Sequence, residues 1–411
     1  MNQKTTHNPF NIIVIVAALG YFVDVYDLIL FSIVRVPSLK DLGLSGDDLT
    51  NTGLNLLNVQ MLGMLLGGII WGILGDKKGR LSVLFLTILL YSIANIFNGM
   101  VQNLDQYYIC RFFAGLGLAG ELGVGITLVS EVMSKEKRGW GTTIVSGIGI
   151  AGAVGGFLVA DMFNWRVAYY VGGGLGLFLL LLRVSMYESG MFAKLKESKI
   201  RRGSFFSLFS DAKRFSKYIK CILIGVPVWF VIGVLVTLAP EFASTKGLNV
   251  VGTIVGGKAV MYHYIGASIG AFLTGFISQI LKSRKKALLI SLYSLALTMA
   301  WYFFASGVTD TVFYFILFLM GIPNGYWSVF VTTASEQFGT NLRATATTTI
   351  PNFVRGATVA VTLSFNYFKS GSLGIIGSGI TVAIIVLILA IISSYGVEES
   401  YHKDLDYYEE G

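Results

Sequence analysis

Long apolar runs alternate with short polar segments along nearly the whole chain. A transmembrane helix needs about 20 apolar residues, and twelve runs reach that length. Their many glycines do not argue against helix, because backbone groups in lipid must find hydrogen-bond partners within the segment. We number the predicted spans 1 to 12, at about 11–35, 50–74, 81–101, 106–131, 140–160, 167–187, 218–240, 251–281, 286–306, 311–334, 345–367 and 373–396.

The composition, together with this pattern, indicates the fold class. The 411 residues are 54% hydrophobic and only 13% charged, whereas a soluble domain averages about 25% charged residues. These charges are too few to coat a soluble globule of this size. The sequence therefore predicts an all-α membrane protein, with a retained first helix rather than a cleaved signal peptide.

Basic residues concentrate in one set of loops, which predicts the orientation. They follow spans 2, 4 and 8 and fill the segment between spans 6 and 7, while the other loops carry mainly acids. The positive-inside rule then places both termini in the cytoplasm. We call the end of the helices near the basic loops the inner end and the opposite end the outer end. The net charge of +8 thus reflects membrane insertion and does not indicate a nucleic-acid partner.

Two stretches repeat at a constant offset of 205 residues. Ser130, Glu131, Arg138, Thr142 and Thr143 recur as Ser335, Glu336, Arg343, Thr347 and Thr348, each set between two apolar runs. Such a duplication predicts two pseudo-symmetric six-helix bundles in parallel order. The predicted domains are bundle 1–191, a cytoplasmic linker 192–217, bundle 218–397 and an acidic tail 398–411, which we expect to be a solvated end.

Several chemistries are excluded. Cys110 and Cys221 are expected near opposite sides of the bilayer and so cannot form a disulfide. The two cysteines and three scattered histidines give no metal-ligand spacing. The sequence also lacks a Ser/His/Asp set and a phosphate-binding loop, so we expect no enzyme activity, cofactor, metal or ATP-driven mechanism.

Charged side chains within the spans need a functional reason, because burying them in a bilayer is costly. Asp24 and Asp27 are three residues apart and share a face of span 1. Arg111 of span 4 comes at a depth similar to Asp27, and Glu121 lies deeper. A carboxylate beside an arginine stays ionised and takes up a proton more readily once that contact breaks. Asp27 and Arg111 could thus form a proton switch or a permanent ion pair. Asp24 and Glu121 could share the proton work or face water without titrating.

The second half offers a different set of polar groups. Arg355 could hold an anionic substrate through bidentate hydrogen bonds, or pair with a carboxylate of its own half. His263 could titrate near neutral pH or be a packed, hydrogen-bonded group. Cavity lining and simple packing both remain open for Trp229, Asn324, Tyr326 and Trp327. Asp24, Asp27, Arg111 and Glu121 have no charged counterparts 205 residues on, so proton coupling is predicted in the first half only.

At the loop after span 2, the run Gly72-Ile-Leu-Gly75-Asp76-Lys77-Lys78-Gly79-Arg80 resembles the signature of the major facilitator superfamily. We expect Asp76 to meet the positive end of span 11, and Arg80 and Arg138 to pair with acids such as Glu131. The corresponding contact in the second half lacks the acid and would depend on Glu336 and Arg343. The predicted cytoplasmic gate, which would stabilise the outward-open state, comprises Gly72, Asp76, Arg80, Glu131, Arg138, Glu336 and Arg343.

Two further motifs resemble one branch of that superfamily. Arg111-x3-Gly115-x-Gly117-x2-Gly120-Glu121 resembles the helix 4 motif of the metabolite–, sugar– and phosphate–proton symporters. The stretch from Gly20 to Leu28 resembles their helix 1. The resemblance implies that the helix 1 aspartate and the helix 4 arginine carry proton coupling. Span 7 lacks the acid of the phosphate symporters, which argues against inorganic phosphate.

The expected function is proton-coupled symport of a small, anionic organic metabolite by alternating access. The alternatives are a proton-independent facilitator, an exporter and a transporter-like receptor without flux. The expected partners are protons, the substrate and the lipid bilayer of a bacterial inner membrane. The protein is expected to act as a monomer.

Overall fold

The structure is a computed structural model that describes residues 12–78, 80–120, 138–188, 205–244, 246–401 and 403. Its long elements are all helices, and within the described residues each predicted span coincides with one helix or with consecutive helical segments. Span 7 includes the π-helix Val231–Val236. The helices are Ile12–Asp41, Gly46–Lys78, Arg80–Asn98, Leu104–Leu118, Arg138–Ile150, Gly152–Met162, Trp165–Glu188, Ala212–Phe230, Ala239–Ala243, Gly256–Ile280, Arg284–Phe304, Asp310–Asn324, Trp327–Glu336, Thr340–Ser370 and Gly374–Gly396.

Nine spans within the described residues are long and apolar enough to cross a membrane. The other three are the shorter span 3, span 4, which is described only to Gly120, and the threonine-rich span 11. Large apolar side chains such as Leu297 and Phe304 are about three-quarters exposed, at 74% and 78%. A contiguous apolar exterior of this kind marks a surface that faces lipid. The predicted fold class, a twelve-helix membrane bundle, is confirmed.

Two span boundaries differ from the prediction by six residues. Span 1 continues past Arg35 to Asp41, and Arg35 is buried with partners inside the protein. Span 7 begins at Ala212 instead of 218, since the Asp211 carboxylate caps the helix by accepting from the backbone N–H of Arg214 at 2.8 Å. Residues 212–217 therefore belong to span 7, and residues 189–204 of the predicted linker lie outside the described part.

The two halves meet mainly along two pairs of helices, span 2 with span 11 and span 5 with span 8. Spans 2 and 5 of the first half correspond to spans 8 and 11 of the second half. The two contacts are therefore equivalent by the internal symmetry that a duplicated bundle produces. Small residues allow the close approach. A Cβ at Gly68 would lie 2.8 Å from Cβ of Asn352, and Ser268 Oγ donates to the carbonyl of Gly147 at 2.6 Å.

The beginning of the acidic tail is bound rather than solvated, which corrects the prediction for that segment. Glu399 accepts hydrogen bonds from the backbone N–H groups of Arg284 at 2.9 Å and Lys285 at 3.3 Å, and from the hydroxyl of Ser283. It thereby caps the start of span 9. The hydroxyl of Tyr401 donates to Gln279 at 2.7 Å. Residues 404–411 lie outside the described part.

Candidate substrate and proton-coupling site

Asp27 is fully buried at the contact between spans 1 and 6. A Cβ at Gly172 would overlap its Oδ1 atom, so span 6 needs a residue without a side chain at this point. The neighbouring Tyr26 hydroxyl donates to the carbonyl of Ala168 at 2.9 Å. The carboxylate predicted to carry the proton therefore faces span 6 at close range.

Arg111 is also fully buried, in an aromatic cage. Its guanidinium carbon lies 5.3 Å from the ring centre of Phe31 and 5.7 Å from that of Tyr169, and Nη1 donates to the Tyr169 hydroxyl at 3.3 Å. Phe31 is one turn beyond Asp27 in span 1. Tyr169 lies within the electrostatic range of both Arg111 and Asp27, so the two charges share one neighbourhood. A direct ion pair between them stays a prediction.

Two tyrosines around Arg111 were missed by the sequence analysis. The hydroxyls of Tyr107 and Tyr169 lie 2.8 Å apart, and Tyr107 donates to Ser38 Oγ at 3.3 Å. Tyr107 is four residues before Arg111, on the same face of span 4. The four-residue spacing could have predicted that Tyr107 lies near Arg111. Tyr169 belongs to span 6, and nothing in the sequence relates it to Arg111.

Arg355 contacts two indoles that also contact each other. Its guanidinium carbon is 5.7 Å from the ring centres of both Trp229 and Trp327, and only 3% of the residue is exposed. Nη1 donates to Asn352 Oδ1 at 3.2 Å. The two indoles are in edge-to-face contact, with centres 6.5 Å apart and planes at 73°. We call Arg355, Trp229, Trp327 and Asn352 the Arg355 cluster.

Both halves of the protein contribute to the surroundings of the Arg355 cluster. Trp327 Nε1 donates to the Tyr21 hydroxyl at 3.1 Å, and Asn352 Nδ2 donates to the Ala119 carbonyl at 2.7 Å. Asp24, one turn after Tyr21, is buried within the electrostatic range of Arg355. Among the described residues, the carboxylate near Arg355 thus comes from the opposite half, rather than from its own half.

The remaining polar candidates of the second half make contacts between helices. The ring of His263 lies between the Leu317 carbonyl, 3.3 Å from Nδ1, and the Asn324 amide nitrogen, 3.0 Å from Nε2. This pattern assigns a neutral ring that donates through Nδ1 and accepts at Nε2. The Tyr326 hydroxyl donates to the Ile224 carbonyl at 2.6 Å. Packing is the alternative that this geometry favours for His263 and Tyr326.

Most of the predicted cytoplasmic gate lies outside the described part of the structure. Glu131 belongs to the undescribed residues, as do the side chains of Asp76, Arg80 and Arg138. Glu121, which was predicted for proton coupling, also lies outside the described part. Gly72, by contrast, lies within the described part of span 2. A Cβ there would lie 3.6 Å from Thr349 Cγ2 in span 11, which places this part of span 2 against span 11.

In the second-half part of that gate, Glu336 and Arg343 have separate contacts, and their role in a gate stays a prediction. Glu336 accepts hydrogen bonds from Arg284 Nε and Nη2, both at 3.3 Å, and from the Ser400 hydroxyl at 2.7 Å. Arg343 Nε instead donates to the Phe338 carbonyl at 3.3 Å. The Glu336 contact therefore joins span 10 to the loop between spans 8 and 9 and to the tail, all within one half.

An ion pair joins the two halves at the outer end, and the sequence analysis missed it. Arg35 Nη2 donates to both carboxylate oxygens of Glu241, at 2.7 and 2.9 Å, and to the Thr237 carbonyl at 3.0 Å. The Thr50 hydroxyl adds a bond to Glu241 at 3.1 Å. Both charged residues fall at the edge of a predicted span, where a charge is ordinarily assigned to the loop.

A helical bundle of two six-helix halves, with buried charges at their interface, is the architecture of a secondary transporter. A family model described as Major Facilitator Superfamily matches residues 17–362, and the chain belongs to this superfamily. It is 28% identical to the provisionally named niacin/nicotinamide transporter NiaP of Bacillus subtilis (strain 168), over 83% of this chain and 84% of that protein. It is 24% identical to the sialic acid transporter NanX of Escherichia coli (strain K12), over 90% and 89%.

A solved structure supports the same fold. The proton:xylose symporter XylE, bound to 6-bromo-6-deoxy-D-glucose, matches with a TM-score of 0.68 at 15% identity, over 96% of this chain and 97% of that chain. At this identity the likeness concerns the fold alone. The chain is therefore an integral membrane transporter of a small molecule, and not an enzyme.

Proposed function

We propose that this chain couples inward proton movement to the uptake of a small organic anion across a bacterial inner membrane, with both termini in the cytoplasm. The proposal rests mainly on four charged side chains that are buried within the spans. Asp24, Asp27, Arg111 and Arg355 are all buried, and such intramembrane charges mark ion or substrate pathways.

Each charge has a distinct role in the proposed cycle. Arg355 holds the anion, because guanidinium groups bind carboxylates through paired hydrogen bonds. Asp27, with Asp24, takes up the proton, and Arg111 biases Asp27 towards its ionised form. Alternating access follows when the outer contact of Arg35 with Glu241 exchanges with the inner gate built around Asp76, Arg80 and Arg138.

The names of two relatives support an anionic substrate. Niacin and sialic acid, which appear in those names, are both carboxylic acids. A facilitator or exporter would share the substrate site without the proton requirement and is the second candidate.

Transport by reconstituted protein tests the proposal. Liposomes with an imposed inward proton gradient would be supplied with a panel of radiolabelled carboxylates that includes nicotinate and sialic acid. We expect uphill accumulation by the natural sequence. Asp27→Asn should retain counterflow exchange but lose accumulation, while Asp161→Asn, at an exposed position, should behave as the natural sequence.

Two results would contradict the assignment. Normal proton-driven accumulation by Asp27→Asn would remove the proton role from this residue. Transport of an anion without any accompanying proton movement would replace symport by facilitated diffusion.

A further inference from the structure

Arg111 is held through one edge of its guanidinium group, and the other edge is available to a carboxylate. Nη1 donates to the Tyr169 hydroxyl at 3.3 Å, whereas Nε and Nη2 have no hydrogen-bond partner among the described residues. The N–H bonds of Nε and Nη2 point the same way, and such a fork binds a carboxylate through two parallel hydrogen bonds. Because buried donors without an acceptor are unfavourable, the fork suits a carboxylate that approaches it during the transport cycle.

A directed chain of hydroxyl groups fixes the Tyr169 oxygen that accepts from Arg111. Tyr107 donates to Ser38 Oγ at 3.3 Å, and Ser38 donates to the Arg35 carbonyl at 3.2 Å. A hydroxyl group has one proton to donate, so Tyr169 is the donor in the 2.8 Å contact between the two tyrosine hydroxyls. A lone pair of Tyr169 therefore remains for Arg111, at a place where both tyrosines are fully buried.

Aromatic rings fix the plane of the same guanidinium group. Its central carbon lies 5.3 Å from the ring centre of Phe31 and 5.7 Å from that of Tyr169, which is the range of a cation–π contact. Phe31 is one turn beyond Asp27 in span 1, and a Cβ at Gly172, one turn beyond Tyr169 in span 6, would meet Asp27 Oδ1. The cage around Arg111 and the Asp27 carboxylate thus lie on adjacent turns of the same helix pair.

We propose that Tyr169 is a positioning residue for proton coupling, because its hydroxyl orients Arg111 so that the fork of Nε and Nη2 can bind the ionised Asp27 carboxylate. Tyr107 holds the Tyr169 hydroxyl in place for this task. The inference rests on the proposed proton-coupled transport and adds the side chain that sets how strongly its two charges attract. Protonation of Asp27 removes the negative charge that the fork binds, while the cage keeps Arg111 in place until the proton leaves.

Other titratable groups near the two charges stay neutral in the range where a carboxylate titrates. The described side chains within electrostatic range of Arg111 or Asp27 include Tyr26, Tyr107, Cys110 and Tyr169. Phenol groups ionise near about pH 10 and thiol groups near about pH 8.5. A titration between about pH 4 and pH 8 therefore follows carboxylates.

Asp24 is a second carboxylate in span 1 and has to be separated from Asp27. Spans 2 and 5 present the uncharged Gln60 and Gly152 to span 1. Tyr264 of span 8 lies within electrostatic range of Arg355, as Asp24 does. An Asp24→Asn background removes this second carboxylate from the titration.

Infrared titration of the full chain in lipid nanodiscs tests the inference without relying on transport. The carbonyl band of the protonated Asp27 side chain is identified by its loss in Asp27→Asn. Tyr169→Phe keeps the ring but removes the hydroxyl, so a less well oriented Arg111 should stabilise the ionised carboxylate less. Half of Asp27 should then be protonated at a proton concentration about 2- to 10-fold lower than in the natural sequence, the usual effect of one hydrogen bond. Tyr107→Phe should change it in the same direction by a smaller factor.

The neighbouring tyrosine provides the matched control. The Tyr170 hydroxyl donates to the Gly99 carbonyl at 2.9 Å, and the residue is 39% exposed, so Tyr170→Phe should leave the titration unchanged. Arg111→Lys keeps the charge but has no fork, and adding Tyr169→Phe to it should cause no further shift. An unchanged titration in Tyr169→Phe, or an equal shift in Tyr170→Phe, would overturn the positioning role.

The combined results separate this inference from the proposed function. Suppose that Tyr169→Phe shifts the titration of Asp27 while the natural sequence moves substrate without protons. The positioning role would then stand and symport would fall. If the natural sequence couples protons to uptake, but Tyr169→Phe changes neither the titration nor the pH of half-maximal uptake, symport would stand and the positioning role would fall.

Discussion

Arg35 in span 1 and Glu241 after span 7 form an ion pair of 2.7 Å that ties the two halves together at their outer ends. The Arg35 side chain is only 1% exposed. Removing one partner of a buried ion pair strongly destabilises the conformation that contains it, because the other charge stays buried without compensation. The pair therefore links the two halves at the outer end in this structure.

Glu241→Gln should shift the protein towards a state that is open at the outer end. Breaking a buried pair costs about 3–5 kcal/mol, which is enough to reverse a modest preference between two conformations. The readout is the maleimide labelling rate of Leu57→Cys, introduced after replacement of Cys110 and Cys221 by serine. Leu57 is buried beside Gly233 near the pair, and its labelling should accelerate at least about 10-fold.

Arg166→Ala is the control for that experiment. Arg166 pairs with Asp41 at 3.2 Å, also at the outer end, but both residues belong to the first half and are substantially exposed. Exposed pairs contribute about 0–1 kcal/mol, so labelling of Leu57→Cys should not change. An unchanged labelling rate in Glu241→Gln would show that the pair does not hold the outer end closed.

Gly172→Ala should impair proton coupling by crowding Asp27. The added methyl group would overlap Asp27 Oδ1 and approach Tyr26, so the carboxylate must move. Proton-driven accumulation should fall severalfold, and the pH at which uptake is half-maximal should shift. Gly174→Ala is the matched control, since a Cβ there meets no atom within 4 Å. Equal uptake and equal pH profiles in both variants would contradict a close contact at Asp27.

Gly68→Ala should be more damaging than Gly72→Ala, although Gly72 belongs to the family-like motif. At Gly68 a Cβ would lie 2.8 Å from Cβ of Asn352, the residue that accepts from Arg355 and donates to Ala119. At Gly72 the nearest contact is an ordinary 3.6 Å. Initial uptake rates at matched expression test this order. Greater loss in Gly72→Ala would indicate that another conformation brings Gly72 closer to its neighbours.

Glu399→Gln should lower stability over a defined pH range. Burial by itself would raise the pKa of Glu399, but hydrogen bonds from Ser283 and the backbone of Arg284, Tyr401 and Lys285 outweigh it and hold the pKa below its ordinary value. A depressed native pKa means that the stabilisation is complete above the unfolded pKa of about 4.3 and is lost as pH falls through the native pKa.

Thermal unfolding in detergent between pH 3 and pH 8 measures this effect. The natural protein should exceed Glu399→Gln by at most about 1 kcal/mol, because Glu399 is exposed and solvent screens its charge, with a constant difference at pH 5.5–8 that shrinks below about pH 4. Glu398→Gln is the control. The Glu398 side chain is 75% exposed in its pair with Lys403, so its loss should have a smaller effect. A difference that grew towards low pH would contradict the cap.

Hydrophobic pattern by itself determined the number of spans and the fold class, and the repeated polar positions indicated the internal duplication. Apolar length is a local property that the bilayer imposes on each segment separately, so it can be read without knowing the neighbours. The same argument found Asp27, Arg111 and Arg355, since a charge inside an apolar run stands out whatever it contacts.

Tertiary structure alone decided which partner each charge meets. Arg35 and Glu241 stand 206 positions apart, and Glu336 pairs with Arg284, 52 positions before it. Asp24 lies near Arg355 of the opposite half. A charge can be paired by any helix that packs beside it, and packing depends on how the two halves dock. No local pattern in one span records that docking, so the spans were predictable and the pairs between them were not.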